Sequence, residues 1–261
     1  MTPRDCPSSP DDVYLFGTCL ADLFGPEAGV DAVALLEREG VRVHFPQAQS
    51  CCGQPAYTSG NIEAARSLAH SQIDLFKQPW PIVVPSGSCA GTMRHHWPLM
   101  FEGEPGLARR AQAISERVFE LAEFLVRVLA VDYSSASTAP TKVALHTSCS
   151  ARREMGTRTH GVELLGRLPG VELVEHGCES ECCGFGGLFS IKHPDISGAM
   201  VADKVGHLRA SGCDRVVSAD LGCLLNIRHA AQFHDQRLDG QHLASFVRSR
   251  LEGRKPEGRD R

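Results

Sequence analysis

The segment VYLFGTC, residues 13–19, returns 130 positions later as VALHTSC, residues 143–149: a short apolar run, a polar turn and a cysteine. An apolar run of this length that ends in turn residues is a strand signature, so each copy starts as a strand that delivers a thiol. The pair Cys51-Cys52 is followed by Gly53, and the second half carries the same triplet as Cys182-Cys183-Gly184. A third apolar run ends at Cys89 in PIVVPSGSC, and its counterpart RVVSADLGC ends at Cys223. The gaps match as well. Residues 20–50 separate Cys19 from Cys51 and residues 150–181 separate Cys149 from Cys182, while Cys89 and Cys223 follow their CCG triplets after 54–88 and 185–222. Self-similarity at a fixed long period marks a repeated structural unit, and four cysteines recur in each.

Between the copies lies DYSSASTAPT, residues 132–141, whose small, polar and proline residues read as a linker. The expected layout is α/β, two tandem Rossmann-like CCG units related by internal duplication, over 13–131 and 142–250. Tails at 1–12 and 252–261, rich in charge, proline and glycine, are expected to be flexible. In the first unit, Val33, Leu35 and Leu36 precede Gly40 at helical spacing, VRVHF at 41–45 reads as a strand, and IVV at 82–84 as another. Asn61 is placed to cap a helix over 62–77. Val118, Leu121, Ala122, Leu125, Val128 and Leu129 sit at i, i+3, i+4 spacing and predict one amphipathic helix over 115–130. In this layout every cysteine of a unit follows a strand C-terminus, the edge where open α/β sheets hold their ligands.

Composition narrows the chemistry. The 261 residues are 42% hydrophobic with a net charge of −4, enough apolar content for a full core and no basic field for a phosphate backbone, so nucleic acid is not an expected partner. No stretch approaches the roughly 18–20 apolar residues of a membrane span, and the N-terminus lacks a signal-peptide core, so a cytoplasmic location is expected. Eleven cysteines in a reducing compartment point to metal or redox chemistry rather than to disulfides. Four thiolates per site suit a tetrahedral zinc or an iron–sulfur cluster. Apart from Cys178, no cysteine forms a close C-x(2–4)-C knuckle with either CCG, and adjacent cysteines diverge, which favours a wide cluster over a single zinc ion. The candidate ligands are Cys19, Cys51, Cys52 and Cys89 in the first half and Cys149, Cys182, Cys183 and Cys223 in the second.

The segments FPQAQSCCGQPAYTSG (45–60), VVPSGSCAGTMRHH (83–96), ECCGFGGLFSIKHPDIS (181–197) and SADLGC (218–223) resemble the cysteine-rich CCG domain found in heterodisulfide reductase and, more closely, the lactate-utilisation protein A family. That family is similar to the cysteine-rich part of glycolate oxidase iron-sulfur subunits without their ferredoxin domain. The resemblance implies iron-sulfur clusters and an electron-transfer subunit of an L-lactate oxidation system that turns lactate to pyruvate. It also implies partners: a ferredoxin-type iron-sulfur subunit and a further lactate-utilisation subunit. Two departures stand out. The family pattern ends each unit in C-x-x-C, but Ser86 and Asp220 occupy the first of those positions, and Ser150 stands where relatives are expected to have histidine. With four cysteines left per unit, the resemblance implies two [4Fe-4S] clusters rather than five-thiolate ones.

Alternatives remain open at this point. One is a heterodisulfide-reductase-like thiol/disulfide protein, with Cys178, four residues before Cys182, as a redox-active thiol or alternative ligand. Another is a zinc-stabilised, non-redox scaffold. His95, His96 and His193 are candidates to polarise a carboxylate or to donate to a cluster sulfide, against the plainer expectation that they face solvent. Cys6 and Cys213 are expected to be inert. GFGG at 184–187 lacks the third glycine of a dinucleotide turn, and neither a P-loop nor a G-x-S-x-G elbow is present.

Overall fold

In the computed structural model, residues 9–233 and 238–253 are described; Cys6, most of the two expected tails and residues 234–237 lie outside them. The first half runs β1 (Asp12–Leu15), α1 (Cys19–Phe24), α2 (Pro26–Arg38), β2 (Arg42–His44), α3 (Gln54–Thr58), α4 (Ile62–Ile73), β3 (Ile82–Val84), α5 (Gly87–Gly91), α6 (Trp97–Met100), α7 (Pro105–Ser115), β4 (Val118–Glu120) and α8 (Leu121–Glu123). A wide π-type turn, Thr92–His96, joins α5 to α6, and another, Phe124–Val128, extends α8. The second half repeats the plan with β5 (Thr141–Leu145), α9 (Cys149–Met155), α10 (Thr157–Gly166), β6 (Val171–Leu173), α11 (Phe189–Lys192), α12 (Pro194–Ala210), β7 (Arg215–Ser218), α13 (Leu221–Phe233), β8 (Gly240–His242) and α14 (Leu243–Leu251).

Each half forms one four-stranded parallel sheet, ordered β2-β1-β3-β4 and β6-β5-β7-β8. The chain winds first to one side of the starting strand and then to the other. The strand order therefore reverses between β1 and β3, and between β5 and β7. A crevice opens at the C-terminal edge of a parallel sheet at such a reversal, because the loops on either side leave in opposite directions.

The expected α/β duplication is observed, with several local differences. Asn61 caps α4 through its Oδ1, which accepts from the Ala64 N–H at 3.2 Å, but the helix stops at Ile73 instead of reaching 77. Phe76 still turns inward, edge-on to Tyr14. The helix expected over 115–130 is interrupted. α7 closes at Ser115, and Val118, Phe119 and Glu120 form β4, in register with Ile82, Val83 and Val84. Every residue from Val118 to Val126 is buried, so apolar spacing there carries no information about a solvent face and fits strand and helix alike. The segment expected to be a linker runs as turns and extended chain, yet it buries Tyr133 and Ala136.

Both residues enter a core shared by the two halves. Val13, Leu35, Leu36, Phe124 and Leu125 meet Val143, Leu145, Leu164, Phe246 and Val247 in one apolar cluster. α14 packs on α2 and α10 on α8, and Arg248 pairs with Asp31 across the same junction at 2.8 Å. The outer face of each sheet has its own cluster, around Trp97 and Met93 in the first half and Ile227 and Leu208 in the second. Because the central cluster is common property, Phe246→Ala is expected to destabilise the whole chain by about 3–5 kcal/mol, lowering Tm by on the order of 10 °C. Thermal unfolding followed by circular dichroism checks this, and a drop of only a degree or two would show that the halves do not share a core. Among the described residues no helix is long and apolar enough to cross a membrane.

Candidate metal centres

Each thiol is set by a local device at the reversal point of its sheet. Thr18 Oγ1 accepts from the Ala21 N–H and starts α1 at Cys19; Ser86 Oγ accepts from the Cys89 N–H and starts α5; Ser148 Oγ accepts from the Ala151 N–H and starts α9 at Cys149. Cys223 lies in the first turn of α13, where the Leu224 N–H donates to the Asp220 carbonyl. Serine and threonine are placed here because a side-chain oxygen satisfies an otherwise orphaned N–H of the first helical turn.

The CCG loops come in from the neighbouring strands, β2 and β6. Gly53 and Gly184 have φ of +88° and +81°, a left-handed conformation that side chains disfavour. Their N–H groups fold back onto the first sulfur of the pair, with Gly53 N to Cys51 Sγ at 3.4 Å and Gly184 N to Cys182 Sγ at 3.3 Å. The same glycines let the loop lie against helix backbone. A Cβ at 53 would sit 3.1 Å from the Ala65 carbonyl oxygen, and one at 184 only 2.6 Å from that of Ser197. The carbonyl of the second cysteine is pinned in each loop, by Trp97 Nε1 to Cys52 O at 2.9 Å and by Asn226 Nδ2 to Cys183 O at 2.9 Å. Sequence reasoning missed both of these anchors.

The eight thiols gather four by four. Cys19 meets Cys51, Cys51 meets Cys52, and Cys52 meets Cys89 in side-chain hydrogen-bonding contact; Cys149, Cys182, Cys183 and Cys223 form the same chain in the second half. In each quartet two members are buried, Cys52 with Cys89 and Cys183 with Cys223, and two are half-buried. One side of each group thus faces the interior and one approaches solvent. Hydrogen bonds from Cys19 and Cys52, with the Gly53 N–H, draw the Cys51 thiol well below the ordinary thiol range. The same hydrogen bond, which Cys19 donates to Cys51, together with burial pushes the Cys19 thiol above the ordinary range. Four adjacent soft donors with backbone N–H groups aimed at sulfur fit a thiolate-bound metal or metal–sulfur group.

The other candidates fall outside these groups. Cys178 is exposed, with φ +51°, and the side chain in hydrogen-bonding contact with its thiol is Glu181, not a cysteine of the quartet. Cys213 donates its thiol to the Leu208 carbonyl at the end of α12. His95 and His96 do not turn to sulfur. Their Nε2 atoms reach the Glu154 carbonyl at 3.0 Å and the Glu154 carboxylate at 3.2 Å, tying the first half to α9. His193 is exposed beside Phe189. Ser86 and Asp220, the two replaced cysteine positions, meet each other: Ser86 Oγ donates to Asp220 Oδ1 at 3.0 Å, and the Ser88 N–H donates to the same oxygen at 3.0 Å.

A small cavity with mainly apolar walls lies beside this contact, and Glu120, His146, Thr147, Thr157 and Asp220 are the polar residues among those that line it. Burial pushes the Glu120 carboxyl up to about 8, and its Oε2 accepts from the Ala122 and Glu123 N–H groups. His146, which sequence reasoning did not single out, is fully buried, and burial drives it down to about 3, so the imidazole is neutral. A ring nitrogen of His146 and the sulfurs of Cys183 and Cys223 lie within 4.8 Å of one another. The repeat held the signal, since His146 stands where the first copy has Phe16.

The cysteine-rich CCG domain family matches residues 13–94 and again 143–228, the two stretches that carry the quartets. Over 239 residues, 92% of this chain and 99% of the relative, the sequence is 41% identical to lactate utilization protein A of Shouchella clausii (strain KSM-K16). The chain belongs to the lactate utilization protein A family. Lactate utilization protein A of Bacillus subtilis (strain 168) gives the same result, 40% identity over 238 residues, with 91% of this chain and 99% of that protein covered. The fold of the family extends to more distant chains. A hypothetical protein from Helicobacter pylori of known crystal structure, 13% identical, superimposes on 97% of this chain with a TM-score of 0.64, and this chain spans about half of it, 51%.

Proposed function

We propose that the chain is an iron–sulfur electron-transfer subunit of an L-lactate oxidation system, in which lactate is oxidised to pyruvate and serves as a carbon source. The observation that carries this is the gathering of four thiols at the sheet reversal of each half. Cys19, Cys51, Cys52 and Cys89 would hold one cluster, and Cys149, Cys182, Cys183 and Cys223 a second, both of the [4Fe-4S] type. Such a cluster supplies one-electron storage at a potential set by charge, hydrogen bonds to sulfur and solvent exposure. The buried members Cys52, Cys89, Cys183 and Cys223 keep water from the inner side of each site, and the half-buried members leave an outer side open to a redox partner.

The junction between the halves supports a relay. Cys89 and Cys223 each lie one helical turn, about 5.4 Å of pitch, beyond Ser86 and Asp220, whose side chains are hydrogen-bonded at 3.0 Å. A short covalent and hydrogen-bonded path therefore joins one quartet to the other. Ser86 and Asp220 are engaged with each other, so neither supplies a fifth ligand, which weighs against a heterodisulfide-reductase-like disulfide chemistry. Partners are required: a ferredoxin-type iron–sulfur subunit and a further lactate-utilisation subunit, acting in the cytoplasm.

Growth on L-lactate tests the proposal. Deleting the gene is expected to abolish growth on L-lactate while leaving growth on glucose intact, and the wild-type chain, but not a Cys52→Ala or Cys183→Ala chain, is expected to restore it. Undiminished growth of the deletion strain on lactate would overturn the assignment.

A further inference from the structure

The two halves agree in their thiols and differ in what lies against them. Aligning VYLFGTC with VALHTSC places His146 where the first half has Phe16. Phe16 is an ordinary buried ring, packed 6.2 Å from Phe76. His146 is equally buried, but neither ring nitrogen has a hydrogen-bond partner among the described residues. A buried polar atom left without a partner loses its hydrogen bonds to water and gains none in return. One of these nitrogens lies within reach of the Cys183 and Cys223 sulfurs, so a group held by those thiols is the partner its position calls for.

A second difference follows from the CCG glycines. Gly53 packs on Ala65 and Gly184 on Ser197, so α4 and α12 are equivalent, and seven residues further along each helix stand Gln72 and Lys204. Gln72 is neutral and spent on its loop, accepting from the Ser50 N–H at 3.0 Å and donating to Ser50 Oγ at 2.8 Å. Lys204 is only 1% exposed, a degree of burial rare for lysine. Its ammonium donates to the Cys178 carbonyl; burial pulls Lys204 below the ordinary lysine range, and Glu181 with the neighbouring Cys183, Cys178 and Cys182 acts in the opposite direction.

We propose that His146 and Lys204 make the second centre the electron acceptor of the pair, His146 by donating a hydrogen bond to its sulfur and Lys204 by placing a positive charge beside the CCG loop. This rests on the iron–sulfur assignment above. Reduction adds one electron to the centre, drawn from the ferredoxin-type donor, and forms no new bond, so the centre becomes more negative by one charge. A cation and an N–H donor stabilise the reduced form more than the oxidised one, and both raise the potential. The first centre, with Phe16 and Gln72 in the matching places, has neither group. Electrons entering at the first half therefore run downhill to the second.

The test is a potentiometric titration of the anaerobically reconstituted full-length chain, followed by EPR, with dithionite as reductant. The signals are assigned to halves through Cys52→Ala and Cys183→Ala. In the wild type the second centre is expected to reduce first. His146→Phe and Lys204→Gln are each expected to shift its reduction equilibrium about tenfold towards the oxidised form, 59 mV for one electron, with iron content and the first centre unchanged. His146→Phe should also remove a nitrogen coupling from the second centre's spectrum. The reciprocal Gln72→Lys, which leaves His146 and Lys204 in place, is expected to raise the first centre's potential, and it keeps the proposal open to refutation should His146→Phe fold poorly. Two intact clusters whose potentials do not respond to Lys204→Gln or Gln72→Lys would overturn this inference alone. A wild-type chain with no iron–sulfur signal would overturn the assignment beneath it as well.

Discussion

Replacing Cys183 with alanine is expected to remove the second centre and spare the first, halving the iron bound per chain; Cys52→Ala is expected to do the converse. Each is the buried middle member of its quartet, in contact with a sulfur on either side, so its loss breaks the chain of donors at the centre and not at an end. Among the described residues no spare thiol stands ready to replace it. Among the described residues the remaining thiols are Cys178, which is exposed and in contact with Glu181, and Cys213, which is bonded to the Leu208 carbonyl. Water cannot serve as a ligand at a position this buried. The fold should survive, because the loop is held by the carbonyls of the same residues, which Trp97 and Asn226 pin and which alanine keeps. Iron analysis and EPR of the two variants check the prediction, and a variant that lost both centres, or neither, would show that the quartets do not act as separate sites.

The second large effect is expected from glycine. Gly184→Ala forces a side chain into φ +81°, which costs roughly 1–2 kcal/mol, and puts its Cβ 2.6 Å from the Ser197 carbonyl oxygen, where backbone on both sides must shift. The loop cannot move aside freely, because Ser197 Oγ donates to the Gly184 carbonyl at 2.9 Å. Overpacking of this kind costs about 1–3 kcal/mol more, so the variant should lose roughly 2–5 kcal/mol of stability and bind the second centre poorly. Gly53→Ala is the internal comparison. It has a similar φ, +88°, but its Cβ would lie 3.1 Å from the Ala65 carbonyl oxygen, a contact relieved by a few tenths of an ångström. Gly184→Ala should therefore show the lower urea midpoint of the two, and equal midpoints would mean that backbone strain, and not the approach to α12, is what requires glycine.

How much of this could be read from residues alone follows from what kind of information a sequence carries. The duplication, the strand at Ile82–Val84 and the cap at Asn61 were legible because each depends on a local pattern. The two groups of four cysteines were legible because the same four thiols repeat at matched gaps. β4 was hidden, since a segment buried on all sides has no polar face to set its period. His146 and Lys204 were hidden for a different reason. Comparing the copies for what they share draws the eye to Cys149 and away from the Phe16-to-His146 exchange three residues before it. His95 and His96 looked like candidate donors because Glu154, more than fifty residues on, supplies their partners through a contact no local pattern reveals. The same holds for Ser86 and Asp220. Each reads singly as a lost ligand, and only the folded chain brings them together as one of the bonds between the halves.

The central claim is that each quartet holds an iron–sulfur cluster, and it is tested most directly by metal and sulfide analysis, with Mössbauer spectra, of the chain purified without oxygen. The account predicts about eight iron and eight acid-labile sulfide ions per chain, the content of two [4Fe-4S] clusters, with broad absorption near about 400 nm that bleaches on reduction. Stoichiometric zinc with no iron and no sulfide would contradict it, and would make the eight thiols structural staples instead of a path for electrons.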